Sequence, residues 1–199
     1  MFYKTSVYIA DILEQQNKFA PEDKEVYRYG IQQGLNLTLN ILTTIIIGVL
    51  CGMAYPSILF LVCYVPLRSF CGGYHAKTHF RCYIYSVIMI TCILLVAKYT
   101  AFNIVLYEVL VLISLIIILL LAPVEDENKK LDIVEKRLFR KKAYIIAFLE
   151  VLLYHLFLFM HFANCYKIIS TALFSLSILM IIGSIKNYIQ RKRMNAACI

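Results

Sequence analysis

The sequence predicts an all-α protein, a polytopic bundle of membrane helices with four to six membrane segments. Three observations carry that prediction. Hydrophobic residues make up 61% of the 199, against about 45–50% in soluble domains, and the mean hydropathy is +0.75. The apolar residues are gathered into long runs, several near the roughly twenty residues that a crossing helix needs. All Lys and Arg except Lys98 and Lys167, 18 of 20, lie in segments that one side of a membrane can hold together.

The elements follow in order. Residues 3–19 place Tyr8, Ile12 and Phe19 at helical spacing, with Asp11, Glu14, Gln15 and Lys18 largely elsewhere. This is the pattern of an amphipathic helix on a membrane surface; a frayed soluble helix is the plainer alternative. Asp11 and Glu14 stand where a secretory signal needs its apolar centre, so the segment is not read as a cleavable signal. Leu37–Tyr55, Phe102–Ala122, Tyr144–Cys165 and Ile168–Ile185 have spanning length or come close, while Tyr83–Ala97 is shorter. Ile58–Leu67 is shorter still and is bracketed by Pro56 and Pro66, which suits a re-entrant half-span as well as a crossing.

The basic residues sort the loops. The N-terminal segment, the 66–82 loop, the 123–143 loop with its seven Lys and Arg, and the tail read as cytoplasmic; the short connections holding Lys98 and Lys167 read as external. Both termini are then on the cytoplasmic side, and the chain must cross out and back between residues 37 and 67, or the first helix must be followed by a re-entrant piece on the same side. The polar segments are too short for a second core, so residues 1–199 form one integral membrane domain. Within 123–143, Pro123 ends the preceding span and LDIVEKRLF suits a short interfacial helix.

Seven scattered cysteines, an odd number, argue against a disulfide framework. The net charge of +8 comes without aromatic-interleaved basic patches, so anionic lipid head groups or an acidic peptide are expected as partners, and nucleic acid is not. Glu108, Glu150, His155 and His161 lie in the spans and are read as packing or snorkelling groups.

Residues 68–82, RSFCGGYHAKTHFRC, concentrate reactive side chains in a chain otherwise mostly apolar. Three readings compete. Cys82 is a nucleophile, since it opens the 83–97 helix and follows Arg81, with Lys77 and His79 near, a setting that favours a thiolate. Alternatively Cys71, His75, His79 and Cys82 are zinc ligands, or the cluster is a solvated loop whose basic groups meet lipid phosphates. For the nucleophile's base, helical spacing favours His79; His75 lies seven residues from Cys82, about 10 Å along a straight helix, so that pair requires a bend between them: Gly72 and Gly73 permit a tight turn before His75, and a helix starting near residue 79 leaves His75 free to fold back.

Arg68, Gly72, Gly73, His75 and Cys82, in this order and spacing, resemble the motif of the AgrB family of bacterial membrane cysteine endopeptidases. The likeness extends over the chain, including the amphipathic start and Ala122-Pro123 followed by Lys129 and Lys130. It implies His75 as base and Cys82 as nucleophile. It also implies cleavage of the C-terminal part of an AgrD-like precursor through a thioester, and cyclisation of the remainder to a thiolactone or lactone without ATP. Arg68, Gly72, Gly73, Lys77, Lys129 and Lys130 are then candidate substrate-binding or supporting residues, and no metal or other cofactor is needed. Cys71, where many members have a small residue, leaves a second thiol in play. A homodimer in a bilayer with anionic head groups is expected. The alternative class is a non-enzymatic peptide transporter or receptor with a Cys/His metal site; it has no P-loop and is not ATP-driven by itself.

Overall fold

The computed structural model describes residues 2–16, 18, 21–74, 78–100, 103–125 and 131–197, with the backbone alone for 21, 79, 191 and 193–197. Helix α1 is Tyr3–Gln15, α2 Lys24–Leu50, α3 Ala54–Cys71, α4 His79–Tyr99, α5 Ile104–Leu121, α6 Ile133–Phe159 and α7 Ala163–Ala197. Among the described residues six helices, α2 to α7, are each long and apolar enough to cross a membrane.

The ends of the helices follow local chemistry. Thr78 caps α4 by accepting the Arg81 N–H, Asn103 caps α5 from its side chain, and Asp132 with Glu135 forms a reciprocal capping box on α6, satisfying donors that a helix start leaves orphaned. That box starts α6 at Ile133, so Arg137 to Lys142 are on the first turns of a span; the basic 123–143 segment is only partly a loop. The half-span reading of Ile58–Leu67 gives way to a continuous α3. Pro56 sits in the first turn, where N–H groups are unpaired anyway, and Pro66 lies inside the helix, where its missing N–H removes a single ladder bond and neighbouring helices support the backbone.

α7 is the hub. Half of its span is buried, against a third or less of the others, and it packs on α3, α4, α5 and α6. Leu59, Cys63, Leu67 and Cys71 run down α3 in steps of four and meet Val111 and Ile118 of α5, Ala143 and Ala147 of α6, and Leu173, Leu176 and Met180 of α7. The alanines let α6 approach closely, which matters because close packing, rather than escape from water, holds helices together in lipid. A smaller core joins Phe60 of α3, Leu94 and Ala97 of α4, and Ile168 and Ala172 of α7.

At one end of the bundle the connections are short. Lys98 donates to Cys51 C=O at 2.6 Å and Lys167 to Thr100 C=O at 2.8 Å, so the two lysines that stand apart in the charge pattern tie down carbonyls at helix ends. At the other end lie the start of α2, the 72–74 and 122–125 segments and the distal half of α7. There α1 rests on α2: Lys24 pairs with Asp11 (2.8 Å) and Glu14 (2.6 Å), and Arg28 stacks over Tyr3. Ser6 and Ala10 are the buried face of α1, leaving Tyr8 and Ile12 exposed; Phe19 lies outside the described residues.

Candidate functional site

The site grows from the way α3 stops. Gly72, just past the helix, has φ +69° and Gly73 has φ +123°, regions that a side chain disfavours, and they turn the chain into a short extended strap. Gly72 forms a parallel bridge with Val124. The Val124 N–H donates to Cys71 C=O at 2.8 Å, the Gly73 N–H to Val124 C=O at 3.3 Å, and the Tyr74 N–H to Leu179 C=O of α7 at 2.9 Å. Arg68, one turn back on α3, folds its guanidinium over the strap and donates to Gly72 C=O and to Tyr74 C=O at 2.5 Å. The strap is therefore held between α3, the 122–125 segment and α7.

That closeness needs glycine on both sides. A Cβ on Gly72 would overlap Val124 C=O, and one on Gly73 would overlap Arg68. On α7, a Cβ on Gly183 would lie 2.7 Å from the Tyr74 N and 2.8 Å from the Gly73 C, so Gly183 is what allows the helix to accept the strap. Sequence reasoning missed Gly183, Val124 and Leu179. A lone glycine inside the apolar run SLSILMIIGSIK was the available signal, and a conformational account was no help because the glycine is helical and its requirement is long-range.

Beyond the strap, Thr78 is extended and α4 begins at His79. α3 stops at Cys71 and α4 starts at His79, so Cys71 and Cys82 do not share one continuous helix. Cys82 is the fourth residue of α4 and is half-buried. Its own N–H donates to Thr78 C=O at 3.1 Å and that of Arg81 to the Thr78 hydroxyl at 3.3 Å. His79 and Phe80 open the first turn of α4, where backbone N–H groups lack partners within the helix. His75 and Lys77 lie outside the described residues, as do Lys129 and Lys130.

The two thiols of the motif have different surroundings. Cys71 is fully buried in the core with α6 and α7, an environment in which a thiol acts as a small hydrophobe. Cys82 instead lines a groove of about 1220 Å3 that also takes in Arg68, Gly72 and Tyr74. Tyr64 and Met89 form part of its inner wall, and the Tyr64 hydroxyl contacts the Met89 sulfur at 3.9 Å. α2 supplies the facing wall, pinned to α4 one residue past the cysteine by the Thr43 and Tyr83 hydroxyls at 3.0 Å. Among the described residues no group of three or more His, Cys, Asp or Glu side chains is arranged to hold a metal ion.

A polytopic membrane protein with a cysteine-lined groove at one mouth of its helix bundle is the class that these elements define. Within that class the chain belongs to the accessory gene regulator B (AgrB) family, whose model matches residues 6–185. Membership gives it a role in the agr quorum-sensing system, where AgrB proteins work with an AgrD precursor. The chain is 26% identical to an AgrB-like protein of Clostridium perfringens (strain SM101 / Type A), the match covering 76% of this chain and 77% of that one. It is equally similar, over the same shares, to AgrB-like protein 2 of Clostridium perfringens (strain 13 / Type A). No solved structure matches it.

Proposed function

We propose that the protein is a membrane cysteine endopeptidase that cuts an AgrD-like precursor and closes the retained segment into a ring. The observation that carries this reading is the placement of Cys82 in the first turns of α4, on the wall of a peptide-sized groove and beside the glycine strap.

The chemistry balances with the chain's own groups. His75 takes the Cys82 thiol proton, and the sulfur attacks the scissile carbonyl to give a tetrahedral oxyanion next to the first-turn N–H groups of α4. The C–N bond breaks, His75 returns the proton to the leaving amine, and the C-terminal fragment departs, leaving a thioester on Cys82. A Cys thiol or Ser hydroxyl of the precursor then attacks that thioester; its proton ends on the Cys82 sulfur and the ring is released. A thioester stores enough reactivity for this exchange without ATP. Ring closure competes with hydrolysis, so a groove that keeps water from the thioester favours the ring. Arg68, with its guanidinium turned onto the strap carbonyls, acts in this scheme as a supporting residue that fixes the chain leading to His75.

Orientation follows the charges. Six spans return α7 to the side on which α2 starts, and the basic segments gather at that end, so the groove mouth and both termini face the cytoplasm. In this orientation a cysteine introduced at position 99 reacts with an impermeant reagent added outside, and one at position 129 does not.

The deciding experiment uses purified protein in liposomes with a synthetic AgrD-type peptide and mass spectrometry of the products. Wild-type protein releases the C-terminal fragment. Cys82→Ala and His75→Ala both fail, because nucleophile and base act as a unit, while His79→Ala retains most activity. Loss from His79→Ala with His75→Ala active would overturn the dyad.

A further inference from the structure

The wall of the groove opposite the strap carries an arrangement that the catalytic scheme does not use. On α2, Tyr29, Gly30, Gln33, Gly34, Asn36, Leu37, Asn40, Ile41 and Thr44 all line the cavity, one face of a helix through four turns. Polar amides inside a spanning helix are costly when they face lipid, and here three of them share the face that looks at Cys82. Their donors are turned inward: Asn36 Nδ2 donates to Gln32 C=O and Asn40 Nδ2 to Asn36 C=O, both at 2.9 Å, and Gln33 Nε2 donates to the Tyr29 hydroxyl at 2.9 Å. The side-chain carbonyl oxygens of all three then point no bond at any described residue and remain acceptors for something in the groove.

Charge narrows what that something is. Among the described residues the charged ones lining the cavity are Arg68 and Glu125, and both are engaged by the chain itself, Arg68 with the strap carbonyls and Glu125 with Lys136 at 3.0 Å and the Leu131 N–H at 3.0 Å. The wall thus offers neutral acceptors on an apolar background. The cavity also exceeds the roughly 300–1000 Å3 of small-molecule pockets. Acceptors three to four residues apart on a helix recur every 5–6 Å or so, close to the roughly 6.7 Å between successive N–H groups on one edge of an extended peptide.

We infer that Gln33, Asn36 and Asn40 are positioning residues that hold the backbone N–H groups of an extended, uncharged stretch of the precursor along α2, so that its scissile carbonyl reaches Cys82. Gly30 and Gly34 leave the helix surface bare beneath that stretch: a Cβ at either would meet nothing within 4 Å, so no packing within the chain requires glycine there. The inference rests on the peptidase reading.

The test measures binding of a fluorescent AgrD-type peptide to full-length Cys82→Ala protein in liposomes, beside KM and kcat for the active enzyme. Asn36→Leu and Asn40→Leu, which suit a spanning helix, each weaken binding and raise KM by roughly three- to tenfold, one neutral hydrogen bond's worth, with kcat changed less; Asn40→Gln recovers part of the loss. Gly34→Leu projects a side chain into the groove from a position whose Cβ would meet no neighbour within 4 Å and weakens binding tenfold or more, whereas Thr38→Leu, at an exposed position that does not line the cavity, changes nothing. Peptides N-methylated at single backbone amides lose affinity for the parent protein but not for the Asn36→Leu, Asn40→Leu double variant. Equal losses on both proteins, or unchanged binding to Gly34→Leu as a lipid-filled groove predicts, would overturn the inference while cleavage by wild-type protein keeps the peptidase reading. Wild-type protein that neither binds nor cuts the peptide overturns both.

Discussion

Glycines stand on both walls of the groove for opposite reasons. On the strap side, Gly72, Gly73 and Gly183 are pressed against their neighbours, and any Cβ would strike backbone or the Arg68 guanidinium. On the α2 side, Gly30 and Gly34 look into open space. The first set lets three chain segments approach within hydrogen-bond distance and makes a rigid abutment; the second keeps a surface clear. The difference teaches that one wall is closed by contacts within the protein and the other is left open. Cys82 lies between them.

The predictions probe that contrast, beginning with its centre. Cys82→Ala removes cleavage by about a thousandfold or more, as expected for a nucleophile, and leaves peptide binding intact. Cys71→Ala, by contrast, retains most cleavage and lowers thermal stability through a small core void; mass spectrometry of products and a melting curve separate the two. Equal loss of activity from both would revive a role for the second thiol.

Next come the crowded glycines. Gly72→Ala forces a residue with a side chain into a region that is nearly glycine-only, at a cost of about 1–3 kcal/mol, and drives it against Val124, so cleavage falls sharply along with the melting temperature. Gly183→Ala overpacks α7 against Tyr74, destabilising by roughly 1–3 kcal/mol and breaking the Tyr74 to Leu179 bond. A thermal shift assay in detergent, run beside the cleavage assay, reads both effects.

Arg68→Lys keeps the charge but loses the planar fork that reaches two carbonyls at once, and cleavage drops by roughly tenfold while folding is retained. If Arg68 bound the substrate through charge alone, lysine would serve nearly as well. The smallest effect is on the open wall. Gly30→Ala raises thermal stability, by up to about 1 kcal/mol since alanine is the better helix former, and changes cleavage by no more than a few-fold. A strong destabilisation there would show that the wall is filled from within the protein.

Much of the fold was legible because a spanning helix must satisfy its backbone internally and must be long enough to cross, so six elements could be read from apolar runs and turn residues. The boundaries were less so. Tyr144–Cys165 was read from hydropathy alone, and the helix instead starts at Ile133, where the Asp132 and Glu135 box begins it, and stops at Phe159. Pro66 suggested an end where there is none, since a lost ladder bond is tolerated when other helices cover it.

The sequence by itself determined the class of the molecule, the gathering of its basic residues, and the concentration of Arg68, Gly72, Gly73, His75 and Cys82 in one short stretch, because length, composition and spacing are local properties. Only the tertiary structure decided the fate of each. Cys71 and Cys82 stand eleven residues apart in one polar stretch, yet one is sealed between α3, α6 and α7 and the other faces the groove. Arg68, read as a candidate for substrate or support, turns onto carbonyls of its own strap. Gly183 and Asn36 gain their meaning from segments far along the chain, Gly183 from the Gly73 and Tyr74 backbone and Asn36 from the cavity across from it. Burial and partnership are set by which helices pack side by side, and no spacing within a single helix records that.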